Sequence, residues 1–153
     1  MTAGNARHSL IDALEHERKA ANDLLALLRE EQHALVAGDA DRVAAGLPAK
    51  AGLLARLAAL GERRSALLQA QGIGATAAEQ QLGADESELV LWRELRSATR
   101  EAWRQNAING ALISERLLAN QNALAAISPP GRCLYGRHGR SVSGWDSREL
   151  GAA

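Results

Sequence analysis

The chain has 153 residues, and its 18 basic side chains balance its 18 acidic ones. This length matches one ordinary domain, which can bury a core without metal ions or disulfides. The balanced charge argues against a general nucleic-acid binder or a protein held on an anionic membrane. Apolar residues make up 46% of the chain, but there is no Phe and one Tyr. We therefore predict an aliphatic, helical core rather than a β-sandwich.

Cysteine content and the N-terminus indicate a cytoplasmic protein. The lone Cys133 cannot form an internal disulfide, and the opening residues MTAGNARHSL lack the apolar region of a secretion signal. The longest unbroken apolar runs are a handful of residues, far below the roughly 20 that cross a bilayer. We expect no membrane insertion.

The first predicted helix begins with Ser9 as its N-cap and ends near Ala37, where Gly38 and Asp39 supply a stop and a new cap. Spacings of four and three alternate along one seam. Its members are Leu10, Leu14, Glu17, Ala21, Leu24, Leu28, Glu31 and Leu35.

The second predicted helix repeats this spacing at Val43, Leu47, Lys50, Leu54, Leu57, Gly61, Arg64 and Leu68. Pro48 lies inside it and removes a backbone hydrogen bond, which predicts a kink or a fresh helix start there. Gly46, Gly52 and Gly61 should weaken this helix further.

Residues 72–83 form a Gly-containing connector in which we predict a short helix over 77–82. Asp85 is a candidate cap for a third helix that runs to about Ile127. Some 40 residues at about 1.5 Å each would span roughly 60 Å, so we expect an elongated molecule. The predicted seam comprises Leu89, Trp92, Arg96, Thr99, Trp103, Asn106, Gly110, Ile113, Leu117, Asn120, Leu124 and Ile127.

The segment Ser128-Pro129-Pro130-Gly131 ends the third helix, because consecutive prolines cannot continue it. The prediction is thus an all-α, antiparallel bundle or coiled coil of three to four long helices over residues 1–130. Residues 131–153 have few apolar anchors and are predicted to be a flexible C-terminal tail.

Catalytic and cofactor sites are not supported by the sequence. The four histidines form no i, i+4 pair, and Cys133 belongs to no C-x-x-C motif. No phosphate-binding glycine loop or nucleophile elbow occurs. We predict no enzyme, no metal, no cofactor and no nucleic-acid partner.

Several polar residues fall on the apolar seams. Long Glu, Lys and Arg stems can reach the bundle edge, or fix register. Asn106, Asn109 and Gly110 are weak helix formers, yet the apolar period continues through them. Gly110 would then permit close approach by another helix, whether internal or a partner's.

Leucines off the seams make the apolar faces wider than a two-stranded coil needs. Some would close a bundle, and the remainder would form a groove that receives an amphipathic helix. They are Leu25, Leu27, Leu53, Leu67, Leu91, Leu95, Leu112 and Leu118. Protein binding is the predicted function.

The order and spacing of short motifs resemble the FlgN-type flagellar export chaperones over residues 10–139. The first helix matches at Leu24-Leu25, Glu31 and Leu35, and the second at Lys50, Leu53-Leu54, Leu57, Arg64, Leu67-Leu68 and Gly72. The third matches at Trp92, Leu95, Asn106, Asn109-Gly110, Leu112-Ile113, Leu117 and Leu124, before Leu134-Tyr135-Gly136 and Gly139.

This resemblance implies a cytosolic chaperone that holds hook-filament junction proteins and hands them to the cytoplasmic domain of the flagellar export gate. It implies client contacts by the C-terminal part of the third helix. The residues so assigned are Asn106, Asn109, Gly110, Ile113, Leu117, Asn120 and Leu124. It also implies an export-gate contact at Leu134, Tyr135 and Gly136.

Two alternatives stay open. A coiled-coil scaffold would use its apolar seams internally or in homo-oligomers, and the sequence does not set the oligomeric state. A helical enzyme subunit is the other, although no catalytic constellation supports it.

Overall fold

The described residues of this computed structural model are 3–74, 78, 82 and 86–127. They form three long helices: α1, Ala3–Ala37; α2, Ala40–Ala70; and α3, Glu86–Ile127. No strand occurs in those ranges. The predicted all-α bundle of long helices is therefore confirmed. Contacts divide the chain into two units, Met1–Glu115 and Arg116–Ala153.

Helix α1 begins earlier than predicted. It starts at Ala3, so Ser9 lies inside the helix and the prediction of an N-cap there is wrong. The added turns are also held by tertiary contacts, since the Arg7 guanidinium donates to the carboxylate of Glu88 in α3. That ion pair stabilises the added turns of α1. This long-range contact outweighs the local N-cap signal at Ser9.

The turn between α1 and α2 is the predicted one. Gly38 has φ +77°, a conformation that glycine adopts without steric cost. The Asp39 side chain accepts a hydrogen bond from the Arg42 N–H at 2.9 Å and caps α2. Because only these two residues separate the helices, α2 returns antiparallel to α1.

Helix α2 is one unbroken element from Ala40 to Ala70, with Pro48 inside it. The alternative of a fresh helix start at Pro48 is wrong. Ion pairs to α1 form beyond the proline, at Lys50 and Arg64. Tertiary contacts of this kind can hold a helix through the loss of one backbone hydrogen bond.

The core of the first unit is built around α1. Each member of the predicted α1 seam is buried or half-buried, which confirms that seam. Helix α2 contributes one fully buried side chain, Leu68. One cluster joins Leu10, Leu14, Ala21, Leu68, Ala78, Leu82, Trp92, Leu95 and Ala98. A second joins Leu24, Leu25, Leu28 and Ala102.

Helix α3 turns a different face to the core from the one predicted. Its buried residues are Glu88, Trp92, Leu95, Ala98, Ala102, Gln105 and Asn109. After Trp92, each buried residue precedes the corresponding residue of the predicted seam by one position. One position is a rotation of about 100° around the helix axis. Arg96, Trp103, Asn106 and Gly110 are consequently exposed rather than internal.

Candidate functional site

Two ion pairs cross the α1–α2 contact at nearly buried positions. The Arg64 Nε donates to Glu17 Oε2 at 2.6 Å, and Lys50 Nζ donates to Glu31 Oε2 at 2.9 Å. Both glutamate side chains are 9% exposed. Both pairs can form together only when the two antiparallel helices are aligned at one position along their axes. The two ion pairs therefore fix the register of α1 against α2.

Asn109 links α3 to the second of these pairs. Its Nδ2 donates to the Leu28 carbonyl at 2.8 Å and to Glu31 Oε2 at 2.7 Å, and its Oδ1 accepts from Gln105 Nε2 at 3.1 Å. Asn109 is 1% exposed. We predicted client binding by this residue, but its side chain is used inside the bundle.

An open groove lies between α2 and α3, with α1 as its floor, and we call it the α2–α3 groove. Its volume is about 410 Å³. The floor comprises Glu17, Ala21, Leu24 and Leu28, and the walls are Lys50, Leu54, Leu57 and Ala58 of α2 and Thr99, Ala102, Trp103 and Asn106 of α3. All of these residues belong to the first unit.

Two large apolar side chains of this groove face solvent. Trp103 is 72% exposed and Leu54 is 51% exposed. Exposed single apolar residues are ordinary, but here they line one concavity together with apolar residues of the floor. Because Trp often dominates protein interfaces, Trp103 is the best candidate anchor in the groove.

The other predicted client residues of the first unit lie at or near this wall. Asn106 lines the groove. Gly110 is exposed, and a Cβ built on it would meet nothing within 4 Å. No helix of the described chain therefore approaches Gly110 closely, and the internal alternative is wrong. Ile113 is 43% exposed.

The second unit contains the remaining predicted client residues. Leu117, Asn120 and Leu124 are all exposed on the last described turns of α3. Leu118 and Ile127 are large exposed apolar residues of the same segment. Leu134, Tyr135 and Gly136, the predicted export-gate contact, lie outside the described residues.

Sequence reasoning missed Trp103 and Leu54 as surface residues, because both were placed on core seams. One signal could have found Trp103. The predicted α3 seam contained Arg96, whereas the parallel series through Leu95, Ala98 and Ala102 held only apolar residues at those positions. A charged residue on one of two competing seams favours the other seam as the buried one.

Helix α2 is long and apolar enough, by length and composition alone, to cross a membrane. An 18-residue stretch of it has mean hydropathy 1.4, and none of that stretch is buried. One such helix is weak evidence for a span. The ion pairs of Lys50 and Arg64 with α1 instead explain how this helix belongs to the bundle.

No group of three or more His, Cys, Asp or Glu side chains that could hold a metal ion occurs within residues 3–74, 78, 82 and 86–127. The geometry offers concave apolar surface and hydrogen-bonding amides instead. The described residues thus form a helical bundle with an open groove, and a groove of this kind is suited to binding an amphipathic helix.

Comparison with known proteins gives the family. The family model described as FlgN protein matches residues 1–143, and the chain belongs to this family. FlgN proteins are soluble flagellar export chaperones that bind hook-associated proteins, and the family is not one of enzymes. No curated protein and no solved structure matches the chain.

Proposed function

We propose that this chain acts in the cytoplasm, where it binds the C-terminal helical region of hook-filament junction proteins and delivers them to the cytoplasmic domain of the flagellar export gate. The α2–α3 groove is the observation that carries the proposal. Junction proteins polymerise through long terminal helices, and an uncovered amphipathic helix is prone to premature assembly. A groove floored by Leu24 and Leu28 would mask the apolar face of such a helix.

The groove also suits release. Besides its leucines it contains Thr99, Asn106 and two charged groups, Glu17 paired with Arg64 and Lys50 paired with Glu31. A partly polar surface limits affinity, because polar groups that pair imperfectly lose hydration without full compensation. Differences in affinity between related complexes arise mainly in the dissociation rate. The binding step itself would need no nucleotide.

The client-side candidates fall into two sets, one on each unit. Asn106, Gly110 and Ile113 belong to the first unit, and Leu117, Asn120 and Leu124 to the second. All six are exposed. Asn109 enters the proposal differently, since its hydrogen bonds to α1 hold the α3 wall in place rather than contact a client.

Calorimetric titration of the full chain against the host's junction proteins tests the proposal. We expect a complex with the intact proteins and its loss when their C-terminal helices are removed. Trp103→Ala should weaken binding by roughly 30-fold or more, as for an interface hot spot. Val90→Ala is the matched control, because Val90 is 45% exposed and lies on the opposite face of α3.

Substitutions further along α3 separate binding from folding. Ile113→Asp and Leu117→Asp should abolish client binding while helicity by circular dichroism is kept, because both side chains are exposed. A loss of helicity would mean that these residues stabilise the fold. Absence of binding to any junction protein would refute the client proposal.

Delivery to the export gate is tested at Tyr135. An aromatic ring with a hydroxyl can bury a large area and satisfy a polar end. Tyr135→Ala should leave the client complex intact and lower secretion of junction proteins into the medium, and Tyr135→Phe separates the ring from the hydroxyl. A loss of client binding in Tyr135→Ala would contradict the separation of roles.

The alternative of a homo-oligomeric coiled-coil scaffold is favoured by one observation. Within the described part of the chain, the large exposed apolar residues at the end of α3 are Leu117, Leu118, Leu124 and Ile127. An exposed apolar helix face can pair with a second copy. Light scattering coupled to size exclusion distinguishes the two proposals. A concentration-dependent oligomer without any junction-protein binding would support the scaffold.

A further inference from the structure

The α3 wall of the α2–α3 groove continues outward into basic residues. Arg96 precedes the groove residue Thr99 by three positions, and Arg100 precedes Trp103 by three. Residues three apart are neighbours on one side of a helix, so both arginines lie beside the groove wall. Both are exposed. The Arg100 side chain lies along the helix surface, since its Nε donates to the Arg96 carbonyl.

The acidic residues of the same stretch are engaged away from the groove. Glu94 accepts from Arg18 of α1 at 3.1 Å. Glu101 accepts two hydrogen bonds from Arg104, and these lower the pKa of its carboxyl group. Because Glu94 and Glu101 are seven residues apart, they share one side of α3, and that side lies on the far side of the helix from Trp103. The groove edge on α3 is therefore basic.

The α2 wall differs in both size and charge. Its exposed edge presents the small residues Ala51, Ala55 and Ala58 beside Leu54. Lys50 of this wall is paired with Glu31 of α1, and the next charged residue along the exposed edge is Glu62, four positions after Ala58. Small side chains let a neighbouring helix come close, since the distance between packed helices depends on the side chains at the contact. One edge of the groove is thus basic, and the other is small and weakly acidic.

We infer that the groove selects an amphipathic helix whose apolar stripe has acidic residues along one flank. Resting on the proposed function, this inference names the chemistry of the client segment. The acidic flank faces Arg96 and Arg100, and the opposite flank lies against the alanine edge of α2. Charge complementarity of this kind sets orientation and discriminates against wrong partners more than it adds affinity.

Two synthetic helical peptides test the inference with the full chain. Both have the same leucine stripe, spaced at i, i+3, i+4 and i+7, but one has glutamates and the other lysines along one flank. At about 50 mM salt, where exposed charges interact over longer distances, the chain should bind the glutamate peptide about tenfold or more tightly than the lysine peptide. Equal affinities would overturn the inference.

Charge reversal locates the effect. Arg96→Glu/Arg100→Glu should reverse the preference between the peptides. Arg56→Glu/Arg63→Glu, which makes the same change in net charge on the side of α2 away from the groove, should leave it unchanged. A reversal by both double variants would mean that net charge alone decides, and would overturn the inference. Circular dichroism checks that every variant keeps its helicity.

A binding experiment with junction proteins separates this inference from the proposed function. Glutamate-peptide selectivity without junction-protein binding would keep the inference and refute the proposed client. Junction-protein binding that Arg96→Glu/Arg100→Glu does not weaken would keep the client and refute the inference. Preferential binding to vesicles that contain anionic phosphatidylglycerol would instead assign the basic edge to a membrane surface and overturn the inference.

Discussion

Asn109 tests whether the amide seen inside the bundle stabilises the fold or serves a client. Asn109→Ala removes three hydrogen bonds, two with the neutral groups of Leu28 and Gln105 and one with the Glu31 carboxylate. The neutral bonds contribute about 1 kcal/mol each and the charged one about 2 kcal/mol. The higher helix propensity of Ala returns about 0.6 kcal/mol. The free energy of unfolding should therefore fall by about 3 kcal/mol.

Asn106 provides the matched control, because it is the same residue type three positions earlier and is exposed. Asn106→Ala loses no buried hydrogen bond, so the propensity gain alone should raise the free energy of unfolding by about 0.6 kcal/mol. Urea denaturation followed by circular dichroism at 222 nm measures both variants. With typical slopes, the Asn109→Ala midpoint should fall by about 1 M or more.

A loss below about 0.5 kcal/mol in Asn109→Ala would refute this reasoning, since a truncated buried amide costs more. A large loss of client affinity at unchanged stability would show that Asn109 contributes to client binding rather than to the fold. A double-mutant cycle with Glu31→Gln adds a specific check. We expect the pair to be coupled, because the two side chains share a 2.7 Å hydrogen bond.

Three further predictions concern other parts of the first unit. Gly52→Ala should raise the free energy of unfolding by about 0.5–1 kcal/mol in urea titrations, because a Cβ there meets nothing within 4 Å. A decrease would mean that another part of the protein covers this face of α2. Arg64→Met should lower the free energy of unfolding by about 3 kcal/mol in the same assay, because the substitution leaves the buried Glu17 carboxylate without its partner. An unchanged urea midpoint would contradict the ion pair. Arg104→Ala should raise the pKa of Glu101 toward its ordinary value in an NMR titration, because Arg104 donates to that carboxylate. The Glu101 contribution to stability is present above its unfolded pKa and is lost as the pH falls through the lowered folded pKa; a Glu101 pKa that stays low without Arg104 would refute this cause.

The sequence predicted α1 and its turn well because several signals agree there. The seam of α1 contacts both other helices, and its leucines recur at regular spacings of four and three. Gly38 and Asp39 are local signals whose effect depends on the backbone alone. The early start at Ala3 could not be predicted, since the contact that favours it joins Arg7 to Glu88, 81 positions away.

The face of α3 was ambiguous for a physical reason. Two overlapping series at spacings of three and four pass through this helix, and local sequence does not say which one meets α1. Long-range contacts decide it, above all the hydrogen bond from Asn109 to the Leu28 carbonyl. The same step that buries Asn109 exposes Trp103 and Asn106, which the sequence had placed on the core seam, so the walls of the groove could not be predicted from local sequence.

The unequal connections between the helices also bear on how the molecule folds and opens. Only Gly38 and Asp39 join α1 to α2, whereas residues 71–85 join α2 to α3. Closing the short turn costs little chain entropy, so the α1–α2 hairpin should form early, and α3 should dock last. Local opening can then detach α3 while the hairpin stays folded. Detachment of α3 from α1 would open one wall of the groove and leave the other in place, so a bound helix could then be admitted or released while the α1–α2 hairpin stays folded.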